Sequence, residues 1–215
     1  MDIEDLLQSL TDPNIADDGW VRINEFSDLM SSLKTLEKLL ELVKEDVGIW
    51  KWIVLCLHNS LQATALCLLT RSDGFGALSD GIEEQIDEFY ATNKSTLTHY
   101  EEFKTLASKQ RVAPLPKLMR RLNIDYPEKD IPPAREDDEQ MHYLVKLHNW
   151  RSLFSHFPPL EWSAPEQEFV KMTRVIMSLI RRELTSRKWK RRPLVTEDEL
   201  FPLLDNIDAK IGGKV

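Results

Sequence analysis

The stretch I-W-K-W-I-V-L-C-L-H-N-S-L-Q-A-T-A-L-C-L-L, from Ile49 to Leu69, limits most sharply what this chain can fold into. It is too long for an ordinary strand and apolar on nearly every side. A helix of that kind must be enclosed by other helices, so it reads as the central helix of a bundle. The sequence supplies the enclosure. From Ile23 to Val47, Phe26, Leu29, Met30, Leu33, Leu36, Leu39, Leu40 and Val43 recur at helical spacing, and Gly48 marks an end or a kink. Asp73-Gly74-Phe75-Gly76 is a turn signal. Shorter helices are expected at Ser79 to Tyr90, Ser95 to Lys109 and Leu118 to Leu122. A helix from Asp138 to Phe157 carries Met141, Leu144, Val145 and Leu147. Ser163-Ala-Pro-Glu166 has the form of a capping box with proline in the first turn. The helix it opens holds Phe169, Met172, Val175, Ile176, Leu179, Ile180 and Leu184. Thr196-Glu-Asp-Glu199 caps a last helix reaching Ile211. Tyr126 to Glu139 has no apolar periodicity and reads as a mobile loop. No strand, repeat or low-complexity tract stands out.

The expected fold class is therefore all-α, an up-and-down helical bundle with extra short helices. With 215 residues the chain suggests one domain. Its organisation reads as an acidic arm or short helix over residues 1–22, the bundle over 23–188, and a basic linker with a terminal helix over 189–215. No uninterrupted apolar run reaches the ~18 residues of a membrane span. The acidic start M-D-I-E-D-L-L does not resemble a targeting peptide. The expectation is a cytoplasmic protein with no membrane partner. Cys56 and Cys67 would lie about 16 Å apart along one helix, too far for a disulfide. They read as small buried core residues in a reducing compartment, and two isolated cysteines do not make a zinc site. His142 and His148, six apart, are poorly spaced for chelation from one helix. No metal and no cofactor are expected, and no nucleotide-binding or hydrolase motif is present.

The net charge is −8, yet it is unevenly spread: the first 48 residues are rich in Asp and Glu, and Lys171 to Arg192 holds nine basic residues against Glu183. Arg187, Lys188, Lys190, Arg191 and Arg192 surround Trp189, a pattern that could grip a phosphate backbone and stack a base. The same residues could equally be a solvated helix end. On the central helix, His58, Asn59 and Gln62 form a polar patch that could line a cleft or be hydrogen-bonded in the core. Trp50 and Trp52 read as core or interface anchors.

Chemistry concentrates in N-W-R-S-L-F-S-H-F-P-P-L-E-W-S, from Asn149 to Ser163. On a continuous helix Arg151 and His156 would lie about 140° apart, but the prolines that follow end the helix and let His156 swing away. His148 and Ser155 share Arg151's face. Histidine can exchange a proton near neutral pH, and the arginine fork matches a phosphate. Without a carboxylate cluster, that pair suits metal-free attack on a phosphodiester by a ribose 2′-hydroxyl, which points to RNA.

This segment resembles the signature of HEPN domains, in particular a plasmid-associated subgroup with R-N-x-F-x-H-F-x-P-x-x-W-S. Arg151, Phe154, His156, Phe157, Pro159, Trp162 and Ser163 match in order. Leu55 to Leu69 is similar to the second helix of these domains, and the likeness extends over Phe26 to Leu184. Ser152 departs from the pattern, which usually has Asn after the Arg. The resemblance implies a bundle of four to five core helices, a homodimer, and two Arg–His pairs meeting in one RNA cleft. It implies a metal-independent endoribonuclease of toxin–antitoxin, defence or RNA-processing systems, with an antitoxin or other protein partner. His156 of one subunit would take the 2′-hydroxyl proton, the second His156 would protonate the leaving 5′-oxygen, and the Arg151 pair would stabilise the phosphorane-like charge. Ser152 and Ser155 would support them. The alternative the family allows is a catalytically inactive helical RNA-binding or protein-interaction module.

Overall fold

The computed structural model describes residues 24–70, 76–92, 99, 101–102, 105, 111–156, 162–186 and 197–213. Among these the chain is an all-α helical bundle of seven helices: α1 (Glu25–Leu42), α2 (Ile49–Leu69), α3 (Asp80–Ala91), α4 (Leu115–Arg121), α5 (Glu139–Ser155), α6 (Glu166–Ser186) and α7 (Glu197–Gly212). No strand forms among the described residues; a single antiparallel bridge joins Leu78 to Val112.

Helix α2 is the centre, packed by α1, α6, α5 and α4. Ile53, Val54, Leu57, Leu61, Ala63 and Ala65 are essentially without solvent contact. By length and composition α2 could cross a membrane, and its apolar surface is accounted for here by the helices that cover it. The cysteines on it are free; Cys67 is buried as expected, but Cys56 is only half-buried. Trp50 is a core residue, whereas Trp52 is 53% exposed, with Lys51 over its ring.

Several ends differ from the sequence expectation. Helix α1 starts at Glu25 because Asn24 caps it: the side chain accepts from the Phe26 and Ser27 amides while Ser27 reaches back to the Asn24 amide. It ends at Leu42, short of Val47. Helix α4 begins three residues early, at Leu115, with Pro116 in its first turn where no amide is needed. Helix α6 begins at Glu166 rather than on a Ser163 cap. The Glu166 carboxylate accepts from the Trp50 indole N–H instead of folding back on Ser163, and the Pro165 carbonyl takes the Glu168 amide.

The segment between α4 and α5 is a loop, as its lack of apolar period predicts, and it is held against the bundle at several points. Asn123 takes a left-handed turn (φ 53°) that sends the chain back along α4. Arg120 donates to the carbonyls of Tyr126 and Pro127, Asn149 donates to the Asp130 carbonyl, and His142 Nδ1 lies 2.8 Å from the Pro133 carbonyl. Arg135 pairs with Glu139 and Glu168. Polar backbone groups lacking a helix or sheet still need partners, and α4 and α5 supply them through side chains that periodicity does not reveal.

The C-terminal half of α5 is fixed by aromatic rings. Trp150 lies 4.7 Å from Phe169 and 5.0 Å from Trp162, and Phe154 lies 5.1 Å from Trp162. Trp50 stacks on Phe169 from α2. Rings of this size dominate local packing energy, so the cluster sets how α5 lies between α2 and α6.

Candidate functional site

Arg151 sits on the α5 turn that faces α2, half-buried. Its helix mate His148 meets His58 of α2: His58 Nε2 and His148 Nδ1 are 3.3 Å apart, and the rings stack with centroids 5.6 Å apart. Tyr126, from the strapped loop, stands edge-on to His148 at 6.5 Å. Three elements thus converge on one polar spot in an apolar seam.

Its electrostatics follow from burial. His58 is only 3% exposed, and an imidazolium there would lose its hydration. Burial first, then His148 and the Arg151 guanidinium, hold its pKa down to about 3. His148 is lowered too: burial leads, Asp130 pulls the other way, and Arg151 adds to the lowering. Both rings are therefore neutral at pH 7. Burial and the Asp130 carboxylate push the Tyr126 phenol upward, so it stays protonated. Nδ1 of His58 is buried without a hydrogen-bond partner. Among the described residues no carboxylate pairs with Arg151. It is a half-buried fixed cation beside two uncharged rings, and such a group has unspent capacity for an anion.

His156 lies one turn beyond, exposed, as the C-cap of α5; its amide donates to the Ser152 carbonyl at 3.1 Å. It is not in the core, and it does not join the cluster around Arg151 on the interior side. Ser152 is half-buried and contributes that carbonyl, while Ser155 is exposed. Arg187, Lys188, Trp189, Lys190, Arg191 and Arg192 lie outside the described residues, as do Phe157 and both prolines after it.

The polar patch on α2 divides. His58 is a core residue bonded across to α5, Asn59 is exposed, and Gln62 is half-buried. Sequence reasoning placed His148 on Arg151's face but did not join it to His58, and it gave Tyr126 no role. The signal for His58 was present, since a histidine on a helix otherwise apolar all round requires a partner. Its identity depended on how α2 and α5 cross. Among the described residues no three His, Cys, Asp or Glu side chains gather to hold a metal ion. Compared with family models, curated proteins and solved structures, the chain matches none.

Proposed function

We propose that this protein acts on RNA as a HEPN-like, metal-independent endoribonuclease whose Arg151 and His156 do the chemistry. The observation that carries the reading is the state of Arg151: a half-buried guanidinium with no carboxylate partner among the described residues, flanked by neutral histidines, one turn before an exposed histidine. A cation left uncompensated in a low-dielectric seam is placed for charge that arrives with a substrate.

In the working enzyme two copies pair so that both Arg151–His156 sets face one RNA strand. The ribose 2′-hydroxyl gives its proton to one His156, the 2′-oxygen bonds to phosphorus, and the bond to the 5′-oxygen breaks. That oxygen takes a proton from the second His156. The ends are a 2′,3′-cyclic phosphate and a 5′-hydroxyl. Arg151 holds the charge that grows on the non-bridging oxygens. A cytoplasmic toxin, defence or RNA-processing role with a protein partner fits this chemistry. Ser152, a shorter side chain where the resemblance has Asn, favours the inactive RNA-binding module as the second reading.

The test is incubation of the purified protein with mixed labelled RNAs in EDTA, beside an Arg151→Ala, His156→Ala double variant. Cleavage by the wild type alone, with cyclic-phosphate ends, is the expected result. RNA retention without cleavage by either protein would move the assignment to the binding module.

A further inference from the structure

His58 and His148 form a hydrogen-bonded pair in which only one ring carries the shared proton. Two arrangements exist. If His148 Nδ1–H donated, the second proton of the pair would sit on His58 Nδ1, a sealed atom with no partner. A buried N–H without an acceptor is among the rarest groups in folded proteins. If His58 Nε2–H donates instead, Nδ1 of His58 is left as a bare lone pair, and the proton of His148 moves to Nε2. That nitrogen has no protein partner, and unlike His58 Nδ1 it is not among the sealed atoms. Burial of His58 thus dictates what His148 shows to its surroundings, which is a neutral N–H donor on Arg151's helix face, one turn away.

We propose that His148 is a substrate-contacting residue that donates its Nε2–H to the RNA phosphate held by Arg151, with His58 as the positioning residue that fixes the His148 tautomer. The arrangement pairs a fixed cation with an uncharged donor, so an anion gains two directed contacts without bringing two like charges together. Asp130 from the loop and Arg151 from α5 face His148, and their opposed influences leave burial to keep the ring neutral. Tyr126 stands edge-on to the ring from the loop side. The inference rests on the reading of this seam as a site for RNA phosphates.

Imidazole nitrogen NMR on the full chain reads the tautomer directly, and titration with inorganic phosphate and then a short RNA reads the contact. The expected spectrum has His148 protonated at Nε2 and bare at Nδ1, with phosphate shifting the His148 Nε2 resonance and not that of His142. His148→Ala should weaken phosphate binding about tenfold, the usual worth of one hydrogen bond to a charged group. His148→Gln, whose amide falls near the old Nε2, should recover most of it. His58→Leu should release the tautomer and weaken binding while leaving His156 resonances in place. A His148 ring protonated at Nδ1, or one that ignores phosphate, overturns the proposal in wild-type protein, with no variant required to fold. RNA cleavage with a silent His148 would sink this inference and leave the enzyme; phosphate binding at His148 without cleavage would do the reverse.

Discussion

Two cations on opposite flanks of the bundle make the useful comparison. Lys210 of α7 touches Glu37 at 2.8 Å and Glu41 at 2.7 Å, both on α1. Burial would lower its pKa, but the two glutamates outweigh that and raise it; Glu41 in turn is lowered chiefly by its bond to Lys210. On the same flank Arg181 of α6 holds Asp205 and Asp208 of α7. Both of these cations are answered by carboxylates at the surface, and they tie the terminal helix to α1 and α6. Arg151 of α5 is half-buried, near His58 of α2, and answered by no carboxylate among the described residues. The first flank is tied by its own ion pairs; the second leaves a cation without one among the described residues. A fold tolerates the second only where packing elsewhere is strong enough, and the rings beside Arg151 provide that packing.

The largest effect should come from removing that support. Phe169→Ala empties the space between Trp50, Trp150 and Trp162 and should cost about 3–5 kcal/mol of stability, read by urea unfolding. If the loss is well under that, the aromatic cluster is not what anchors α5. Next is Arg151→Met. RNA cleavage should fall by about 10²–10³-fold, the scale of losing one preorganised charge contact, while the melting temperature holds or rises. A marked fall in stability would mean Arg151 is a structural group.

Acid should weaken the seam before the flank. An unfolded histidine titrates near 6.5, whereas folded His58 takes a proton only near 3. Between those values the unfolded chain binds the extra proton, so stability is full above pH 6.5 and declines as pH falls toward 3. The slope approaches about 1.4 kcal/mol per pH unit for this one group. His58→Gln should flatten the part of the curve between pH 6.5 and 5, measured by urea midpoints; an unchanged curve would show that His58 is not sealed in solution. The smallest effect belongs to Lys210→Met. A surface pair of this kind contributes under about 1 kcal/mol and fades with salt, and RNA cleavage should be unaffected.

Helix α2 was legible because its apolar residues leave no solvent face, and α6 because its apolar stripe recurs at helical spacing. The start of α6 was not, because Glu166 had two candidate partners, Ser163 nearby and Trp50 far along the chain, and only packing chose Trp50. The Tyr126 to Glu139 segment is a loop, as its lack of period predicts, but its attachment to the bundle was not legible. Its anchors are side chains of Arg120, His142 and Asn149 bonding to backbone carbonyls, a pattern with no period.

An all-helical bundle around Ile49 to Leu69 and the helix face that Arg151 shares with His148 could be read from the sequence alone. These are local properties, fixed by composition and by the 3.6-residue turn. Tertiary structure decided that His58 meets His148, that Tyr126 stands edge-on to His148, and that no carboxylate among the described residues pairs with Arg151. Those depend on how three elements distant in the chain cross, and burial at that crossing sets which nitrogen carries a proton.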